Sequence, residues 1–427
     1  MPSGLVLQVT SVFRPTFELW GRQKLLNVSR LLCGASAPGD GLRYGERTER
    51  PDAIPRQRSM HYRPVMVWNI TRRCNLHCIH CYSESKNVDY PGELSHEQAC
   101  DVVDDLAGYG VPVLMFSGGE PMMRDDLLGL ISRSSERGLR TVLSTNGTLI
   151  TDETARSLKQ AGLSYVGISI DGLETLNDRF RAKKGAFQDA LRGIRISLAH
   201  GFRVSLRFTL TRYNMADLDA IFDLVERENI PRFCIYHLAY AGRGNKLLSF
   251  DLSHQETREA MDLIFRRTIQ AHERGRDVEV LTVDNHADAV YLWQWVRRNM
   301  PEREAEVARL IRRNGGNSSG RGIACIDNVG DIHPDQFWRT LTVGNVLDRP
   351  FSEIWSDEDN DMLTRLRNRA GLVGGRCAAC AHFGICNGNL RVRAESATGD
   401  PWAEDPACYL TDDEIRFSGT EPIAPVA

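Results

Sequence analysis

From residue 64 the chain alternates between two hydrophobic periods. Short, nearly continuous apolar runs such as VMVWNI (65–70) read as strands covered on both faces. Between them lie longer stretches with apolar residues three and four apart, the pattern of an amphipathic helix. LSHEQACDVVDDLAGYG (94–110) is the first, opened by a capping box in which Ser95 faces Gln98. Five more pairs follow. They are VPVLMFSGG with DDLLGLISRSSERG, RTVLSTNG with TDETARSLKQAG, YVGISIDG with AFQDALRGIRISLAHG, RVSLRFTL with MADLDAIFDLVEREN, and RFCIYHLAY with HQETREAMDLIFRRTIQAHERG.

Six strand–helix units over 65–275 predict an α/β protein with a parallel sheet. They are too few for an eight-unit barrel, which leaves an open doubly wound sheet or a partial barrel. In both, working residues belong at the C-terminal ends of the strands. Several polar, glycine-bearing segments fall there: a cysteine triplet after the first strand, GGE after the second, TNG after the third and SIDG after the fourth.

The flanks read differently. Residues 1–63 are rich in Gly, Pro and charge, and predict a partly flexible extension, with FELWGRQKLLNVSRLL as one short helix. Residues 276–320 read as a helical linker. Residues 321–427 read as a small, loop-rich domain whose poor core a metal site could compensate.

Composition narrows the partners. The 427 residues carry a formal net charge of −3, so no bulk charge favours nucleic acid. No run of about 18 apolar residues suggests a membrane span, and no signal-peptide pattern opens the chain. Eleven cysteines in so long a chain suit metal-bound thiolates in a reducing cytoplasm better than a disulfide framework.

Seven cysteines form two groups. Cys74, Cys78 and Cys81 lie at C-x3-C-x2-C spacing in CNLHCIHC. Three ligands on one loop can hold three irons of a [4Fe–4S] cube and leave the fourth iron open; zinc with His77 or His80 as fourth ligand is the competing reading. Cys377, Cys380, Cys386 and Cys408 supply four thiolates, enough for a [4Fe–4S] cluster with no open iron or for structural zinc. Cys325 is a spare core thiol or a remnant ligand.

The triplet together with GGEP (118–121), STNG (144–147) and SIDG (169–172) resembles the radical S-adenosylmethionine (SAM) superfamily over about residues 64–275. That resemblance implies a partial (β/α)6 TIM barrel and a [4Fe–4S] cluster whose open iron binds SAM. It also implies a reductive cleavage that yields a 5′-deoxyadenosyl radical. Carried over by position, it puts Gly118, Gly119 and Glu120 at the methionine ammonium. Ser144, Thr145 and Asn146 would lie near SAM, Ser169 and Asp171 near ribose or methionine, and Arg181 at the SAM carboxylate. His80 or Tyr82 could pack on the adenine.

The tail spacing resembles the SPASM-type auxiliary domain, with a second [4Fe–4S] cluster suited to accepting an electron. It departs from the seven-cysteine version, because Leu390 and Asp335 stand where two further cysteines would be. YHLAYAGRGNK (236–246), GDIHPDQFW (330–338), TVGNV (342–346) and the tail 376–410 resemble the heme d1-forming branch of the superfamily. This implies oxidative loss of two propionates from 12,18-didecarboxysiroheme, with a flavodoxin or ferredoxin as electron donor. A related heme decarboxylase, a peptide maturase and a non-enzymatic iron–sulfur carrier are the alternatives. Arg212, Arg243, Arg339, Arg391 and Arg393 are candidates for substrate carboxylates, and His333 for the substrate iron. The long lead before the first strand departs from the family pattern.

Overall fold

The structure is a computed structural model, described for residues 25–45 and 63–416. The predicted helix at FELWGRQKLLNVSRLL lies mostly outside these residues; within them, its last turns form the helix Val28–Cys33.

The six expected strands are β2 (Val65–Thr71), β3 (Leu114–Gly118), β4 (Thr141–Thr145), β5 (Tyr165–Ser169), β6 (Arg203–Leu210) and β7 (Arg232–His237), after a short β1 (Leu26–Asn27). They pair in chain order and in parallel. Two more strands extend the parallel array to eight. β8 (Glu279–Val283) adds to β7, and β9 (Ile323–Ile326) adds to the far edge of β2. β10 (Asp331–His333) and β11 (Gly344–Asn345) continue antiparallel from β9, and β1 pairs antiparallel with β8. The result is an open, partial barrel with helices on its outer face.

Three boundary expectations change. The linker 276–320 starts with a core strand, β8, before its helices Ala287–Asn299 and Glu304–Asn314. The region from 321 does not begin as a separate unit, since β9 is hydrogen-bonded into the barrel sheet. Residues 26–44 of the lead are packed structure: Leu26, Val28, Leu31 and Leu32 join the main core.

One ion cluster ties the described part of the lead to β8. Glu279 is buried at the start of β8 and takes Arg43 at 2.6 Å, Arg203 at 2.6 Å and Arg232 at 2.7 Å. Burial raises its carboxyl pKa, but Arg43, Arg232 and Arg203 outweigh that and hold it below the ordinary glutamate value. A charge at the head of an apolar run hides a strand from pattern reading; here three guanidinia make its burial tolerable.

The helix His96–Tyr109 has the predicted capping box at Ser95 and Gln98, and ends at Gly110 in the left-handed region.

Candidate functional site

The loop after β2 carries Cys74, Cys78 and Cys81, all free thiols, the first two buried and the third half-buried. The loop is fixed on several sides. Cys74 N donates to Lys86 O at 3.0 Å, and Ile79 N donates to Phe180 O at 2.9 Å. Arg243 braces it by donating to Cys78 O at 2.7 Å and Ser85 O at 3.0 Å.

Each sulfur has a polar neighbour. Leu76 N lies 3.4 Å from Cys74 Sγ, Arg181 Nη1 lies 3.4 Å from Cys78 Sγ, and Ser83 Oγ lies 3.3 Å from Cys81 Sγ. Burial pushes the Cys74 thiol up to about 12 and raises that of Cys78. Buried thiols with donors aimed at sulfur are poor free acids and good metal ligands, because bound metal supplies the charge that water does not. The three sulfurs line one cavity of about 240 Å³ with Gly118, Gly119, Ser144, Thr145, Asn146, Ser169 and Arg181. These residues fit a three-cysteine cluster with space in front of it for a cofactor.

The GGE segment packs against the chain itself. A Cβ on Gly118 (φ +128) would sit 2.3 Å from Thr71 O, and one on Gly119 would sit 2.2 Å from Arg73 O. Gly119 N and Glu120 N donate to Thr71 O and Arg73 O, each at 2.8 Å. The glycines therefore admit the chain's own cysteine-loop backbone. Glu120 is turned inward and fully buried. Its carboxylate accepts from Thr145 Oγ1 at 2.7 Å, Asn146 N at 2.8 Å and Met122 N at 3.1 Å. It does not line the cavity; it ties the end of β3 to the end of β4. Asn146 in turn donates to Asn75 Oδ1 at 2.8 Å and its Nδ2 lies 4.0 Å from Cys74 Sγ, so STNG steadies the cysteine loop.

Asp171 is also buried behind the cavity wall. One oxygen pairs with Arg181 and with His80 Nε2, the latter at 3.2 Å, and the other accepts from Thr209 N at 2.8 Å. Burial raises its pKa, but Arg181 and then His80 outweigh it and bring the carboxyl down to about 2. Asp171 thus sets the pose of Arg181, which does line the cavity. His80 and Tyr82 both line it, the Tyr82 hydroxyl held by Asn69 Oδ1 at 3.1 Å and Ser117 Oγ at 3.2 Å.

The five arginines proposed for substrate carboxylates lie elsewhere. Arg212 is on the surface with Glu256 at 3.0 Å, and Arg243 braces the cysteine loop. Arg339 spans Ser83 O and Asp327. Arg391 donates to Pro401 O at 2.9 Å and Ala403 O at 2.6 Å. Arg393 forms a sealed pair with Asp405 at 2.8 Å and donates to Leu238 O at 2.8 Å. His333 is buried, with Nδ1 2.8 Å from Leu341 O, so it makes a turn contact and does not line the cavity. Cys325 is a buried β9 thiol that takes Asn69 Nδ2 at 3.4 Å. Leu390 and Asp335 line the main cavity. So does Arg207, which the sequence reading passed over; inside RVSLRFTL it is one polar residue of a half-covered strand, with no motif to mark it.

Cys377, Cys380, Cys386 and Cys408 come together around a second, smaller cavity of about 20 Å³, closed by Ala287 and Val290 of the helix Ala287–Asn299. Gly316 (φ +66) lets the chain pass against Cys386, since a Cβ would sit 2.3 Å from that residue's carbonyl. Burial raises all four thiols, Cys408 to about 11. Four free, shielded thiols thus surround one void, though among the described residues no group of three or more His, Cys, Asp or Glu side chains is placed to hold a single metal ion.

The fold and rim are those of a partial barrel with a thiol-bearing loop at the C-terminal end of its sheet, and known proteins share them. Residues 68–225 match the radical SAM superfamily model. The chain is 51% identical over 396 residues to the Fe-coproporphyrin III synthase of Methanosarcina barkeri, covering 92% of this chain and 99% of that protein. It is 48% identical over 353 residues to the pre-heme d1 synthase of Dinoroseobacter shibae, covering 82% of this chain and 87% of that protein. Among solved structures, Streptococcus suis SuiB bound to S-adenosylmethionine aligns with TM-score 0.63 at 18% identity, over 81% of this chain and 77% of that one, which speaks to fold alone. The chain belongs to the radical SAM superfamily and is an enzyme of it, in the group that includes heme and heme d1 synthases. The family implies SAM and a [4Fe–4S] cluster. The 92% match also reaches into the first 63 residues, so part of the lead is shared with a relative. Among the described residues no helix is long and apolar enough to cross a membrane.

Proposed function

We propose that this enzyme removes carboxylate-bearing side chains from an iron tetrapyrrole of the siroheme class. In the first reading it takes two propionates from 12,18-didecarboxysiroheme on the way to heme d1. The observation that carries the chemistry is the three-cysteine loop opening onto a cavity shared with Ser144, Asn146, Ser169 and Arg181. The substrate class rests on the two relatives at 51% and 48% identity. When bound, the cluster supplies one electron to SAM, which then yields the 5′-deoxyadenosyl radical.

The protein's own part is placement. Cys74, Cys78 and Cys81 would hold the cluster and, being three, would leave one iron for SAM. Arg181, locked by Asp171, offers a guanidinium for the methionine carboxylate. Backbone groups of Gly118 and Gly119 and the hydroxyls of Ser144 and Ser169 line the same space and suit polar contacts to SAM. Rigid bracing by Glu120, Asn146 and Arg243 fixes the loop before any ligand arrives.

Cys377, Cys380, Cys386 and Cys408 would hold a second [4Fe–4S] cluster that accepts the substrate electron, since loss of a side chain through a substrate radical is a net oxidation. A flavodoxin or ferredoxin in the cytoplasm would reduce the first cluster.

A second reading follows from the 51% relative: conversion of the same substrate to iron coproporphyrin III, with the propionates kept. Incubating the reduced enzyme with SAM and 12,18-didecarboxysiroheme separates the two by product mass. Loss of two propionates supports the first reading, and retention of all of them with loss of the acetates supports the second. Turnover of neither kind, with 5′-deoxyadenosine still formed, contradicts the substrate class.

A further inference from the structure

Two arginines line the main cavity, and they differ in one respect. Arg181 is matched by Asp171, whereas Arg207 forms an ion pair with no carboxylate among the described residues. Arg207 rises from β6 and crosses β5 above Gly167. A Cβ on Gly167 would sit 2.3 Å from Arg207 Nε, so the glycine provides the guanidinium's seat. One terminal nitrogen donates to Ser144 Oγ and the other lies 3.7 Å from Met115 Sδ. Nε is buried with no partner. A guanidinium carries five N–H donors and a permanent charge. Hydroxyls of Ser144 and Tyr165 and a thioether answer some of the donors, but not the charge. Asp284 and Asp335 line the same cavity, and neither forms an ion pair with Arg207.

We infer that Arg207, steadied by Ser144 and seated over Gly167, receives a carboxylate side chain of the tetrapyrrole and so sets which edge of the macrocycle faces the cysteine loop. This rests on the substrate class proposed above. The SAM carboxylate is the other source of the same chemistry. Arg181 sits 3.4 Å from Cys78 Sγ, while Arg207 bonds to none of the three cysteines. That division gives the methionine to Arg181 and the macrocycle to Arg207.

The test uses protein with both clusters reconstituted and three probes titrated by absorbance or calorimetry: iron coproporphyrin III, iron protoporphyrin IX with two carboxylates fewer, and SAM. Arg207→Met should weaken iron coproporphyrin binding about tenfold or more, as loss of a charge-assisted pair does. SAM affinity should change far less than porphyrin affinity, because Arg207 reaches the SAM space only through Ser144, and the preference for the four-carboxylate probe over the two-carboxylate probe should shrink. Arg207→Lys should recover part of the loss. Gly167→Ala keeps the charge but displaces it, and should weaken the same probe; it decides the matter if Arg207→Met fails to load its clusters. Unchanged porphyrin affinity and preference in these variants would overturn the inference. So would a loss falling mainly on SAM, which would assign Arg207 to the methionine carboxylate. If the wild-type enzyme binds neither porphyrin, the substrate class itself fails and the inference falls with it, a result distinguishable because no variant is needed to see it.

Discussion

The two cysteine groups are housed in opposite ways. Cys74, Cys78 and Cys81 stand on a loop at the rim of a cavity of about 240 Å³, with polar groups from the ends of β3, β4 and β5 around them. Cys377, Cys380, Cys386 and Cys408 enclose about 20 Å³, shut in by a helix and the tail. Each group leans on a buried arginine–aspartate pair. Arg181–Asp171 presents its guanidinium to the open cavity, whereas Arg393–Asp405 is fully sealed and ties backbone carbonyls together. On the proposed function, the same residue type would serve two purposes according to its wall. A three-cysteine loop beside free volume would leave a coordination place for chemistry, and four cysteines in a closed void would leave none.

The sharpest way to break this comparison is to remove one group at a time. Replacing Cys74, Cys78 and Cys81 by alanine should abolish 5′-deoxyadenosine formation and lower iron from about eight to about four per chain. Replacing the four tail cysteines should remove a similar amount of iron and stop tetrapyrrole turnover while SAM cleavage continues. Zinc in place of iron at the tail would end the electron-acceptor proposal.

The paired aspartates come next. Asp171→Asn and Asp405→Asn each break a buried ion pair and should cost about 3–5 kcal/mol in chemical denaturation. Only Asp171→Asn should also weaken SAM binding, by roughly tenfold, because only its arginine faces the open cavity.

The backbone-contact glycines give a smaller, more local effect. Gly119→Ala drives a Cβ toward Arg73 O and should impair loading of the first cluster; Gly316→Ala does the same toward Cys386 and should impair the second. Iron content with each variant's resonance signature would show which cluster suffers. Equal damage to both would mean the two sites are not independent.

Smallest in its effect on the two cysteine groups is the ion cluster at Glu279, which touches neither. Its folded pKa lies below the unfolded value, so its stabilisation is fully present above about pH 4.5 and fades as pH falls through the lowered folded value. Glu279→Gln should flatten the loss of stability below that pH and leave both clusters unchanged.

Much of this was legible in the sequence because the signals were local. Short, mostly apolar runs marked β2 to β7, Ser95 and Gln98 marked a helix start, and the cysteine spacings marked two groups that the fold brings together. What escaped depends on distant parts. β8 hides behind Glu279, which is acceptable only with Arg43, Arg203 and Arg232 around it. Arg391 and Arg393 look like surface charges in a polar tail, yet they are buried among backbone carbonyls. Glu120 sits in a cofactor motif, but the fold turns its carboxylate toward Thr145 and Asn146. Arg207 has no motif, and only the fold shows that it lines the cavity without an ion-paired carboxylate among the described residues.

The most direct test compares electron paramagnetic resonance of the reduced clusters with and without SAM in the two cysteine variants. With only the first cluster present, SAM should change the signal, as a ligand entering an open iron site must. With only the tail cluster present, SAM should leave the signal unaltered. A SAM-sensitive tail cluster, or a first cluster indifferent to SAM, would contradict the assignment of one open and one closed site.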